Sequence, residues 1–68
     1  MNNLKAIRQS KGIQREQLSR MTGIKTGTIK HWEDGSVALE KAAYISIIKV
    51  AHALDIKPEK LFGGDLDG

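Results

Sequence analysis

Sixty-eight residues carrying a net charge of +3, with no cysteine and only two histidines, set far apart at His31 and His52, allow one small domain. They exclude a disulfide scaffold, a thiolate metal site and a histidine-based zinc site, so the core must stand on helix packing alone. No apolar run is long enough to span a membrane and the first residues do not read as a signal peptide, so a soluble cytoplasmic protein is expected.

The elements follow in chain order. Asn2 and Asn3 are good caps for a first helix, which places Leu4 and Ile7 on one face and ends at Lys11-Gly12. A second helix is predicted from Arg15 to about Thr22, with Leu18 and Met21 inward and Gln14 and Gln17 in weak capping-box positions. Gly23 breaks it and supplies the positive φ of a sharp turn. Ile24 plugs the turn, and a third helix runs from Thr26 to Asp34 with Ile29 and Trp32 inward, stopped by Gly35. The periodicity predicts one long fourth helix from near Leu39 to Leu54, with Tyr44, Ile47, Ile48, Ala51 and Leu54 at helical spacing. Pro58 suits the first turn of a fifth helix delivering Leu61 and Phe62. The expectation is an all-α, compact five-helix domain over residues 1–62 with a flexible tail over 63–68, and no sheet.

Charge is unevenly spread. Residues 1–34 sum to +4 and residues 35–68 to −1. A basic half is the footprint of a nucleic-acid binder, or merely a solvated face. The stretch from Arg15 to Asp34 adds shape to the charge. Ser19 is small where two steeply crossed helices must approach, Gly23 makes the turn, and Leu18, Ile24, Ile29 and Trp32 pack beneath. Such a pair lets its second helix protrude far enough to enter a major groove.

Gln17-Leu18-Ser19, Gly23-Ile24, Ile29 and Trp32-Glu33-Asp34-Gly35 resemble the motif of the lambda-repressor-like (Cro/CI-type, XRE) helix-turn-helix family. Leu4, Ile7, Arg8 and Gly12 resemble its opening, and Lys49 to Ile56 with Leu61-Phe62 its close. The resemblance covers nearly the whole chain. It implies a domain that reads double-stranded DNA with its third helix, commonly as a homodimer on a pseudo-palindromic operator. Carried over by position, Thr26, Gly27, Thr28, Lys30 and His31 are the implied base contacts. Gln14, Arg15, Lys25 and Ser36 are the implied phosphate contacts, and Arg8 with Glu33 the implied structural pair.

Three departures stand out. Gly27 is a poor helix former with no side chain to read a base. Lys25 replaces the serine or threonine usual at that cap. The segment after Gly35 is lengthened, and Ser36-Val37-Ala38-Leu39 is apolar where relatives carry basic residues or proline, which suits dimerisation better than a phosphate clamp. Among single residues, Trp32 and Met21 are expected in the core and His52, Lys5, Lys11 and Lys41 on a solvated surface. His31 reads either as a DNA contact or as an idle surface residue, and Thr28 either touches DNA or lines its helix.

A sequence-specific transcriptional regulator, a repressor in the commonest case, is therefore the first expectation. An interaction module of the same fold, such as an antitoxin or anti-regulator, is the alternative, motivated by Gly27, Val37-Ala38-Leu39 and an exposed Ile45. An enzyme is not expected: no catalytic residues, cofactor or metal are implied, and nothing brings Ser and His together.

Overall fold

The first helix, α1 (Leu4–Ser10), begins where the Asn2 side-chain carbonyl accepts the Leu4 amide at 3.0 Å and the Asn3 carbonyl accepts the Ile7 amide at 2.9 Å. It ends at Gly12, whose φ of +69° turns the chain toward α2 (Arg15–Thr22). The turn at Gly23 leads into α3 (Thr26–Asp34), and Gly35 closes that helix in the left-handed region. A 3-10 turn (Leu39–Lys41), a short extended link, α4 (Tyr44–Ala53) and a last 3-10 turn (Pro58–Leu61) complete the chain. These elements belong to a computed structural model that describes residues 2–63. Of the expected tail, residues 64–68 lie outside the described residues.

The all-helical expectation holds among the described residues, which form four α-helices and no strand. The five-helix count does not. The segment from Pro58 makes a single 3-10 turn of four residues, with proline in its first turn. Its work is done by Leu61, which is fully buried, and by the chain that follows. Phe62 pairs with Asn2 in an isolated antiparallel bridge, the Asn3 amide donates to the Leu61 carbonyl at 2.8 Å, and the Asn3 side chain donates to Lys60 at 3.1 Å. The end of the domain is thereby tied to its beginning.

The expected long fourth helix is also broken. Ala42 and Ala43 are extended, with ψ of 156° and 139°, so α4 proper starts at Tyr44. The core explains the break. Both Leu39 and Val50 are fully buried, yet in one straight helix they would stand about 16 Å apart along the axis. Folding the chain at the alanines brings Leu39 back under the domain. Tyr44 pays no part in that core: it lies on the buried face's line but about two turns out from Ala51, and is 76% exposed.

Met21, expected inward, is likewise exposed, and Thr22 is buried in its stead. The fourth residue after Leu18 follows the inner stripe of α2 more closely than the third, and the threonine hydroxyl has somewhere to go, donating to the Leu18 carbonyl at 2.8 Å. The core joins Leu4, Leu18, Ile29, Trp32, Leu39, Val50, Ala51, Leu54 and Leu61. α2 packs against both α3 and α4, α4 covers the last turn, and α1 reaches α3. Burying each large aliphatic side chain in such a cluster stabilises the fold by about 1.5–3 kcal/mol. The result is that α3 has one face anchored and one face turned outward.

Candidate nucleic-acid interface

The turn between α2 and α3 sets the geometry. Gly23 takes φ +76° and its amide donates to the Ser19 carbonyl at 2.8 Å. Both backbone groups of Ile24 are then held by side chains of α2: its amide donates to the Thr22 hydroxyl oxygen at 3.2 Å, and its carbonyl accepts the Ser19 hydroxyl at 2.5 Å. Ser19 thus does more than leave room for a close approach. Thr22 was not singled out by sequence reasoning, although a β-branched hydroxyl just before the turn glycine was the available signal. With Ile24 pinned above and Ile29 and Trp32 buried below, the direction of α3 is fixed.

On the outer side of α3, Gly27, Lys30, His31 and Asp34 follow at i, i+3, i+4 and i+7, and all four are exposed. Thr26 and Thr28 are half-buried at the flanks. The first intrahelical bond of α3 runs from the Ile29 amide to the Lys25 carbonyl at 3.1 Å, and that of α2 from Leu18 to Gln14 at 3.0 Å. Neither Lys25 nor Gln14 caps its helix with a side chain. Two helix starts therefore present backbone amides without side-chain acceptors, beside the cations Lys25 and Arg15. That arrangement suits an external anion.

A buried ion cluster ties the motif to α1. Arg8 donates through Nε to Glu33 Oε2 at 2.6 Å and through Nη2 to Oε1 at 3.1 Å, and its Nη1 donates to the Ile13 carbonyl at 2.8 Å. Arg15 joins through Nε at 3.2 Å to Oε1. Glu33 and Arg8 retain only 2% and 8% of their side-chain exposure, whereas Arg15 keeps 30%. The forked, two-point Arg8–Glu33 contact is the strong kind of charged hydrogen bond. Arg15's part in it was not foreseen. One end of its guanidinium is committed to the fold, and the rest stands near the start of α2.

Ser36 is placed differently from expectation. Its amide and hydroxyl both donate to Asp34 Oδ1, at 2.7 and 2.5 Å, so as placed it has no free donor for a phosphate. The Ser36 hydroxyl first, and its amide second, hold the Asp34 carboxyl below its ordinary value of 3.8. A fixed negative charge therefore stands at the far end of α3. The segment after Gly35 is less greasy than its letters suggest: Leu39 belongs to the core, leaving Val37 and Ala38 exposed.

Two shallow depressions on the described surface lie between α1 and the last turn, around Ile7, Ser10 and Lys60. None of the expected DNA contacts lines them. Among the described residues no three His, Cys, Asp or Glu side chains group as metal ligands, and no helix is long and apolar enough to cross a membrane.

The family model for helix-turn-helix proteins of the XRE/lambda-repressor-like kind matches residues 4–61. The chain belongs to that family. The match begins at the first residue of α1 and ends at the last of the closing 3-10 turn, so it takes in every helix and turn named above and not the α2–α3 pair alone. Comparison with curated proteins and with solved structures gave no match. XRE-type membership makes this a domain of DNA-binding regulators.

Proposed function

We propose that this helix-turn-helix protein is a sequence-specific transcriptional repressor that acts in the cytoplasm as a homodimer, placing α3 of each copy in the major groove of a pseudo-palindromic operator. The observation that carries the reading is the outer face of α3. Gly27, Lys30 and His31 are exposed on a helix whose other face is locked by Ile29 and Trp32. Thr26, Thr28, Lys30 and His31 read base edges, with Gly27 among them in the base-contacting stretch. The backbone amides at Gln14–Arg15 and at Lys25, with the two cations, grip phosphates and set the register. Ser36 joins them only by giving up its bonds to Asp34.

A pseudo-palindromic operator calls for the dimer. Two successive major-groove faces are about 34 Å apart, while one copy measures 33 × 23 × 20 Å and carries a single α3. Two copies are needed to fill both grooves, and bound in this way they exclude polymerase. Selecting duplexes from a random library at two salt concentrations tests the reading. An inverted repeat should emerge, and Thr26→Ala and His31→Ala should each relax defined positions within the half-site. Weak, salt-sensitive binding without sequence preference would overturn it.

A specific observation favours a second reading, an interaction module such as an antitoxin or anti-regulator. Val37, Tyr44 and Ile45 are large exposed apolar side chains within one short stretch of chain. Light scattering separates the two: a chain that stays monomeric, ignores duplex DNA and forms a tight heterocomplex with a candidate partner fits the second.

A further inference from the structure

Gly27 has no role inside the domain that another residue could not fill. Every other described glycine (Gly12, Gly23, Gly35 and Gly63) takes a positive φ, and three of the four close a helix. Gly27 does not. It sits within α3 in ordinary helical conformation, and a Cβ built on it meets nothing within 4 Å. Neither backbone strain nor packing requires it, and glycine is among the poorest helix formers. A destabilising choice with no return inside the domain points to a contact outside it.

Its surroundings say which kind of contact. Lys30 and His31 stand one turn further along the same exposed face, and Thr26 and Thr28 are half-buried to either side. Longer side chains thus frame a bare patch of helix backbone. A helix held in a groove by phosphate contacts at its start has little freedom to rise. At the point of closest approach even one methyl group would therefore press on the base edges and strain the contacts of its neighbours.

We infer that Gly27 is a specificity-determining position, kept without a side chain so that the α3 backbone lies directly against the floor of the major groove. This deepens the DNA-binding reading above and rests on it. Its signature is a pair of effects with opposite signs. Replacing Gly27, the second residue of α3, by alanine strengthens the helix's first turn, and the melting temperature should rise by about 2–5 °C. Affinity for the selected operator should fall by about tenfold, the loss of one good contact. Gly27→Gln should lose more affinity still, while also melting above the parent.

The experiment is thermal melting of the parent, Gly27→Ala and Gly27→Gln chains, alongside titration of each with the selected duplex and an unrelated duplex of equal length. A higher melting temperature with weaker operator binding and unchanged binding to the unrelated duplex supports the inference. A higher melting temperature with operator binding unchanged or tighter overturns it and leaves the repressor reading standing. A lower melting temperature overturns it differently, by showing that the fold itself needs the glycine. A parent chain that binds no duplex removes the DNA-binding reading, and this inference with it.

Discussion

Replacing Glu33 by glutamine removes one charge from the most buried ionic group of the domain while keeping its shape. Glutamine offers one carbonyl oxygen where the carboxylate offered two, and its amide group faces guanidinium donors it cannot accept from. Arg8, with 8% side-chain exposure, is left without its counter-ion, and Arg15, at 30%, loses its contact but can turn toward water. Breaking a buried pair by removing one partner costs about 3–5 kcal/mol, and the partial exposure of Arg15 lowers the expectation to about 2–4 kcal/mol. A domain of this size is stable by about 3–10 kcal/mol, so Glu33→Gln should forfeit a large fraction of that. Melting should drop by about 4–8 °C per kcal/mol.

Arg8→Met should lose a comparable amount, because the Ile13 carbonyl also loses its donor. Urea denaturation of both single variants and of the double variant isolates the coupling between them, expected at about 2–3 kcal/mol. That coupling should survive in 1 M salt, where the screening length is only about 3 Å, because the pair is largely out of contact with solvent. Additivity of the two substitutions within about 0.5 kcal/mol, or collapse of the coupling in high salt, would show that the cluster is not the buried clamp described.

Thr22→Val keeps the shape of a buried side chain but strips the Ile24 amide of its acceptor, and should cost about 1–3 kcal/mol in urea denaturation. Lys25→Ala should weaken binding to all duplexes about equally and make the plot of log affinity against log salt shallower by about 1. Ser36→Ala removes the hydroxyl that does most to lower the Asp34 pKa, so carboxyl titration by NMR should show that pKa moving up toward 3.8. Because the folded-state pKa is depressed, the stability contributed by charged Asp34 is complete above the unfolded value and fades as pH falls through the folded one. The parent chain should therefore keep this contribution to lower pH than Ser36→Ala does, and identical acid limbs in the two would contradict the assignment.

Much of this protein was legible in its sequence, for local reasons. The bounds of α2 and α3 follow from glycines that end helices and from apolar residues three and four apart, and Leu18, Ile29 and Trp32 lie where that spacing puts them. The exposed face of α3 is the complement of the same pattern. The family likeness rested on these residues together with those of the first helix and of the close, and the family match spans the same stretch, residues 4–61.

Tertiary structure decided what spacing leaves open. Periodicity says which way a side chain points but not where the core ends, so Tyr44 sits on the right line and falls outside, and a continuous apolar pattern hides the break at Ala42 and Ala43. The choice of Thr22 over Met21 depended on a hydroxyl finding both a carbonyl and an amide. Arg15's share of Glu33, Ser36's attachment to Asp34 and the tie between Asn2 and Phe62 each join groups whose pairing is set by distance in space. Even the meaning of Gly27 changed. The sequence marks it as a weak spot in a helix, and only the empty space around it shows that the fold does not need it.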